Sequence, residues 1–95
     1  MKVINVRKPN AAQKALLESQ PTWSHEVDKW EAQYDQREET FLVIEGEACI
    51  LLEDGTCFDF KAGDLVTCAP NTKCVWEVKK DIKKHYIFDM DPSLE

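Results

Sequence analysis

The sequence lacks two features that mark membrane and secreted proteins. No apolar run approaches the roughly 20 residues that cross a bilayer, and residues 1–7 lack the apolar block of a signal peptide. Linkers, low-complexity tracts and internal repeats are also missing. These absences predict a cytoplasmic protein with no membrane partner, folded as a single domain over residues 1–95.

Basic residues are fewer than acidic ones. Twelve Lys and Arg residues face eighteen Asp and Glu residues, which gives a net charge of −6 and a pI near 4.9. Such a surface repels phosphate backbones, so nucleic acid is not an expected partner. The simplest consequence of the charge is solubility.

The cysteines lack the close pairing of a zinc motif. Cys49, Cys57, Cys68 and Cys74 are separated by 8, 11 and 6 residues, with no Cys-x-x-Cys pair. Structural zinc sites usually use such pairs, so the spacing predicts none. Each cysteine lies in an apolar segment, where a reduced, buried thiol that packs as a small hydrophobe is expected.

What remains is a series of short apolar segments separated by turn residues. Three glycines punctuate them: Gly46 marks a turn or bulge, Asp54-Gly55 is a hairpin signal, and Gly63 opens a second turn. The charged residues 79–81 also indicate a turn. We predict about eight strands at spacings of about 8–12 residues, the pattern of a sandwich or barrel. They cover residues 1–6, 27–34, 40–44, 48–52, 56–60, 65–68, 73–78 and 82–89.

One helix is predicted near the N-terminus, over residues 11–18. Asn10 is a good N-cap and Gln13 can close a capping box. Ala12, Ala15 and Leu16 would form its buried face, and Pro21 limits its extent. A short helix packed outside the sheet is therefore expected.

Residues 39–76 resemble the two sequence motifs of the cupins. Glu39 and Gly46 have the interval of the first motif, and Gly63-Asp64 begins the second. Asn71 stands where the family has a glycine, a fitting exchange because asparagine tolerates a left-handed backbone. The resemblance implies an all-β fold: a cupin, or double-stranded β-helix (jelly-roll) barrel, with one short N-terminal helix.

A finer resemblance, over residues 22–88, is to the ureidoglycine-aminohydrolase-like branch of small cupins. It rests on the order of several short pieces rather than on any one of them. They are Trp30…Tyr34-Asp35, Glu39-Thr40, Glu45-Gly46, Glu53-Asp54-Gly55, Gly63-Asp64-Leu65-Val66, Cys74-x-Trp76-x-Val78 and Lys84-His85-Tyr86.

The histidines of the common cupin metal site are missing. In the metal-binding cupins that this chain resembles, three histidines and one glutamate hold iron or manganese. This chain has only two histidines, His25 and His85, and neither is at a motif position. Cys74 stands at the second-motif histidine position, and Glu39 is the one typical ligand left. A hard divalent cation prefers several oxygens or imidazoles. Glu39 and Cys74, with or without Tyr34, are a poor set, so we predict no metal and no other cofactor; a metal that did bind would be held by Glu39 and Cys74. The first-motif histidine positions fall on Ala32 and Tyr34 or on Gln33 and Asp35.

The motif positions nominate the residues of a site in the barrel mouth. Glu39 is the candidate acid or base if its carboxylate points inward, and an inert surface residue if it does not. Cys74 is either a nucleophile or ligand, or an inert buried thiol. Tyr34 and Trp76 would stack on a ligand or simply fill the core.

The last strand leaves its orientation open. Its alternation puts His85 on one face, with Lys84 and Tyr86 on the other. An inward His85 would form an acid–base pair with Glu39, whereas an outward one would be a surface histidine. Tyr86 is a further candidate ligand contact, and Lys84 could neutralise an acidic ligand or extend to the solvent.

These residues favour a small-molecule-binding cupin of unassigned activity. One alternative is a small-metabolite enzyme, such as a hydrolase or isomerase, that uses Glu39 as acid or base with or without a metal. Another is a structural or regulatory barrel. A homodimer through an edge strand is expected in each case.

Overall fold

The structure is a computed structural model that describes residues 3–90. In these residues the chain forms seven β-strands and one α-helix. They are β1 (Ile4–Arg7), α1 (Ala11–Glu18), β2 (Thr22–His25), β3 (Asp28–Gln33), β4 (Glu39–Leu52), β5 (Cys57–Lys61), β6 (Leu65–Cys68) and β7 (Lys73–Phe88). The predicted all-β class with one short N-terminal helix is confirmed. No helix in this part of the chain has the length and apolar character that a membrane crossing requires.

A long antiparallel pair, β4 with β7, organises the barrel. The two strands pair from Glu39 opposite Phe88 to Leu52 opposite Cys74. The start of β4 also pairs with β6, and its end pairs with β5. The end of β7 pairs with β2, and its start pairs with β3, while β1 lies beside β6. We call the β1, β6, β2 side the first half-sheet and the β5, β3 side the second half-sheet.

The two half-sheets close over one core. Phe41 comes from the first half-sheet and Phe60 from the second, and their ring centroids lie 5.3 Å apart. Trp76 contacts both rings, at 5.6 and 5.4 Å. The interior cluster therefore draws on both half-sheets, as a jelly-roll barrel requires. Its most buried members include Ile4, Val43, Ile50, Val66, Cys68, Val78 and Ile82.

The sequence prediction broke the two longest strands too early. Residues 79–81 were predicted as a turn and Gly46 as a turn or bulge. Both lie within the β4–β7 ladder, at shifts of register between Val43 and Ala48, which confirms the bulge at Gly46. Gly46 has φ +89°, and a Cβ there would collide with the Asp81 carbonyl oxygen and lie 2.7 Å from that of Lys80. The glycine is therefore a bulge where two strands approach closely, and the chain bends without turning back.

The sequence prediction missed one strand and assigned the buried face of the helix largely to the wrong residues. β2 was not predicted, although it pairs along the end of β7. The Asn10–Gln13 capping box is confirmed, but α1 buries Gln13 and Leu17 and exposes the alanines. Leucine buries more apolar area than alanine, so Leu17 sets the rotation of the helix on the outer face of the barrel, beside Leu42, Leu65 and Met90.

Candidate functional site

A buried ion pair lies inside the barrel. Glu39 begins β4 and Lys84 lies in the last part of β7, and the two are 7% and 5% exposed. The Lys84 ammonium donates a hydrogen bond to the Glu39 carboxylate, with Nζ 3.2 Å from Oε2. Charges leave water at a large cost unless they are paired, so each of these residues depends on the other.

Aromatic rings enclose the cation of this pair. Lys84 Nζ lies 3.9 Å from the ring centroid of Phe41, 4.9 Å from that of Trp76 and 5.0 Å from that of Trp23. These are cation–π distances. Burial lowers the pKa of Lys84, and the neighbouring Glu39 carboxylate opposes that change.

Lys84 faces a small cavity at the barrel mouth. The cavity has a volume of about 180 Å³ and is lined by Trp23, Trp30, Ala32, Gln33, Tyr34, Trp76 and Lys84. Most of these side chains are partly exposed, so the cavity opens to solvent. This volume is below the usual range of ligand pockets, about 300–1,000 Å³, so a small metabolite is the size of ligand that suits it.

The lining of the cavity includes indole rings and two polar groups, the Tyr34 hydroxyl and the Lys84 ammonium. The Trp30 and Trp76 rings are nearly parallel, 10° apart with centroids at 5.8 Å. The Tyr34 hydroxyl accepts a hydrogen bond from Trp76 Nε1 at 3.1 Å. Burial raises the pKa of Tyr34, so its hydroxyl stays neutral and keeps its proton, with the Cys68 thiol as a hydrogen-bond partner in the interior. The cavity therefore presents indole rings and the Lys84 ammonium to a small ligand.

The sequence-predicted site residues are only partly brought together. Tyr34 and Trp76 line the cavity, whereas Glu39 lies behind the lining, bound to Lys84. Cys74 lines a separate groove of about 630 Å³ at the open end of β3, β4 and β7. Burial raises the pKa of the Cys74 thiol, which disfavours a nucleophilic thiolate. Tyr86 packs against the core and the Phe88 ring, and it lines neither space.

The acid–base pair of His85 with Glu39 does not form. Alternation along β7 points Lys84 into the barrel and His85 to the opposite face. There His85 Nδ1 donates a hydrogen bond to the Gln20 carbonyl at 2.8 Å. His25 lies at the rim, where it stacks on Trp23 with centroids 5.3 Å apart and binds Asp28 at 3.0 Å.

Sequence reasoning missed the importance of two of these residues. Trp23 lies on the unpredicted strand β2, directly opposite Lys84. The only sequence signal for Lys84 was the alternation of residues along β7, which does not tell which face of the strand points into the barrel. A charged residue flanked by apolar and aromatic residues at both i−2 and i+2, here Ile82 and Tyr86, is the pattern that could have found it.

The residues at the cupin metal positions do not fit a metal ion. Glu39 already binds the Lys84 ammonium, and Cys74 faces a different space. The ammonium thus supplies the positive charge beside the motif glutamate. With imidazoles absent from these positions, we derive no chemistry through a metal in the barrel.

The comparisons with known proteins agree with this architecture. Residues 13–86 match the family model described as the EutQ-like cupin domain. A solved structure of a DUF861 family protein from Thermotoga maritima is 32% identical and has a TM-score of 0.82, over 90% of this chain and 98% of that one. No curated protein matches the chain.

Two more distant structures share the fold. The Clostridium difficile EutQ protein is 16% identical, with a TM-score of 0.64, over 70% of this chain and 52% of that one. A putative ethanolamine utilization protein Q from Salmonella typhimurium is 18% identical, with a TM-score of 0.64, over 70% of this chain and 53% of that one. The matched 70% of this chain therefore covers about half of each of these two structures.

Proposed function

The chain belongs to the EutQ-like cupin family, and we propose that it binds a small planar metabolite in the barrel mouth, with an oxygen of the ligand on Lys84. The observation that supports this most is the position of Lys84. It is a buried cation that lines a solvent-open cavity between indole rings. A concave apolar site with few polar groups is the usual form of a small-molecule site.

The hydrogen bonds of Lys84 indicate what the ligand offers. An ammonium has three N–H donors. Within residues 3–90, the hydrogen bond described for Lys84 goes to Glu39, and the other near neighbours are ring faces. A carboxylate or carbonyl oxygen from the cavity would give the ammonium a second acceptor. The proposed ligand is therefore a small aromatic or conjugated carboxylate or amide.

The role of Glu39 in this proposal is to hold Lys84. The carboxylate keeps the ammonium charged and fixes its direction toward the cavity, without touching the ligand itself. That differs from the direct acid or base contact expected from the sequence.

Thermal shift with three probes tests the proposal. Benzoate and nicotinamide have the proposed chemistry, and acetate lacks the planar ring. The wild-type protein should be stabilised by at least one of the two aromatic probes and less by acetate. The Glu39→Gln/Lys84→Met double variant, which removes both charges together, should lose the shift.

The matched control is Lys80→Met, which removes an exposed lysine from the same strand. It should respond like the wild type. The proposal fails if neither aromatic probe stabilises the wild type, or if the double variant responds as the wild type does.

An enzyme is the second candidate, because the ion pair sets a proton donor and a proton acceptor 3.2 Å apart. Lys84 would then contact the substrate and exchange its proton with Glu39. The resemblance to the ureidoglycine-aminohydrolase-like branch implies a small nitrogenous or carbohydrate-like substrate. Product formation by the wild type, lost in Glu39→Gln with binding retained, would favour the enzyme. Binding with no product would favour the binding protein.

A further inference from the structure

A second group of reactive side chains lies outside the barrel. Cys49 on β4 is directly opposite Asp59 on β5 and Glu77 on β7. Cys57 lies two residues from Asp59 on β5. We call these four residues the outer thiol cluster.

Strand alternation turns the outer thiol cluster away from the core. The neighbours of Cys49, Ala48 and Ile50, belong to the interior cluster, so the thiol points to the other face. The neighbours of Asp59 and Glu77 are likewise interior residues, namely Phe58, Phe60, Trp76 and Val78. The cluster therefore lies on the outer face of the second half-sheet, on the side opposite the cavity.

Three of the donor atoms are close enough to share one ion, and the fourth, from Glu77, lies beside Cys49. The ligand atoms of Cys49, Cys57 and Asp59 all lie within 4.8 Å of one another. Cys49 Sγ is 3.7 Å from Glu77 Oε1. In a tetrahedral zinc site, bonds of about 2.0–2.3 Å place neighbouring donors roughly 3.3–3.8 Å apart. Side-chain rotation at the exposed Cys57 and Asp59 is the movement that would close this difference.

We propose that the outer thiol cluster binds a zinc-type divalent cation through two thiolates and two carboxylates. Thiolates select such metals over magnesium and calcium. Cys57 is exposed, so the expectation of a buried thiol is wrong for this cysteine. Together with the exposed Asp59 it gives the ion a path from solvent, while the buried Cys49 anchors the ion to the sheet.

Binding leaves the site with a net negative charge, which the Lys79 ammonium partly offsets. The two thiols release their protons to solvent, which leaves four negative groups around a dication. Lys79, now bound to Asp59 at 3.0 Å, remains beside the site as a further positive charge. Its side chain is 46% exposed, so it can move aside and free an Asp59 oxygen for the metal.

The four residues come from distant positions, which is why their spacing gave no zinc signal. Cys49 and Cys57 lie on the two strands of one hairpin, diagonal rather than directly opposite. The proposed cation site is independent of the proposed ligand site in the barrel, because the two sites lie on opposite faces of the sheet.

Cobalt substitution of the reduced full chain tests the site. Co²⁺ alone is titrated into the protein under a phosphine reductant, and sulfur-to-cobalt charge-transfer bands are recorded in the near ultraviolet. Zn²⁺ is then added as a competitor. We expect one equivalent of Co²⁺ with thiolate bands that zinc removes, and at least tenfold weaker binding in Cys57→Ser and in Asp59→Asn.

Two controls match these variants. Cys74→Ala removes a thiol outside the cluster, and Glu53→Gln removes an exposed carboxylate from the adjoining turn. Both should retain the bands. The proposal is overturned if the reduced wild type shows no thiolate bands, or if Cys57→Ser and Asp59→Asn bind as the wild type does. It is also overturned if the pair only forms a disulfide, seen as a loss of about 2 Da on oxidation with no metal uptake when reduced.

Discussion

Lys84 and Glu39 are the residues on which the interior of the barrel depends. A lysine and a glutamate rarely lie fully buried, and here each is buried against the other. Glu39 could be placed in the interior from its interval to Gly46. The sequence could not tell whether Lys84 or His85 points inward, because alternation along a strand defines two faces without saying which one the barrel encloses.

Removing the cation alone should destabilise the protein strongly. Lys84→Met leaves the Glu39 carboxylate buried without a partner, and we expect a loss of about 3–5 kcal/mol in the free energy of unfolding. Glu39→Met/Lys84→Met removes both charges and should lose far less, because an apolar pair can replace a buried ion pair. Urea denaturation measures both. Equal losses in the two variants would mean that the ion pair does not form as described.

The unfolding free energy should also depend on pH through Lys84. Its pKa is lower in the folded protein than in the unfolded chain, where a lysine has its ordinary value near 10.4. Between those two values the unfolded chain binds more protons, so the free energy of unfolding rises with pH. We expect the wild type to gain stability relative to Glu39→Gln/Lys84→Met as the pH increases from 7 to 10.

Urea denaturation of both proteins at a series of pH values checks this. Tyr34, whose pKa is raised mainly by burial and to a smaller degree by Glu39, is present in both, so subtraction removes most of its contribution. A difference that stays flat or decreases with pH would contradict the lowered pKa of Lys84.

At the scale of the elements, the bend in the β4–β7 pair gives the barrel its shape. Glycine and charged runs are local signals, and they look the same at a turn as at a bulge inside a long strand. Only the pairing with a distant strand tells them apart, which is why residues 79–81 were predicted as a turn and why the prediction for Gly46 left a turn and a bulge both open. The Asn71 prediction succeeded because it needed no distant information: its φ is +60°.

Two glycine substitutions separate the causes of strain. Gly46 and Gly55 both have positive φ, at +89° and +91°, but only Gly46 has backbone atoms where a Cβ would lie. Gly55→Ala should cost about 1–2 kcal/mol from the left-handed conformation alone. Gly46→Ala should cost about 1–3 kcal/mol more, because it forces β7 away from β4. Thermal or urea unfolding compares them, and similar losses would show that the two strands do not approach closely at the bulge.

At the scale of the whole molecule, the fold was predictable and the site only in part. The motif intervals and the turn residues predict the barrel, because this chain keeps the spacing that they have in the family. The cavity is formed by β2, β3 and β7, and the unpredicted Trp23 lies on the first of these. The homodimer through an edge strand stays a prediction, for which β1, β2, β3 and β5 offer the edges.

The central claim is that a small planar ligand enters the cavity beside Lys84. The chain has three tryptophans, and Trp23, Trp30 and Trp76 all line that cavity. Their indole N–H groups give three signals in a ¹H–¹⁵N spectrum, which can be followed during a titration with benzoate or nicotinamide. We predict saturable shifts of all three signals in the wild type and in Lys80→Met, and none in Glu39→Gln/Lys84→Met. Indole signals that stay fixed with both probes in the wild type, or that shift equally in the double variant, would contradict the account.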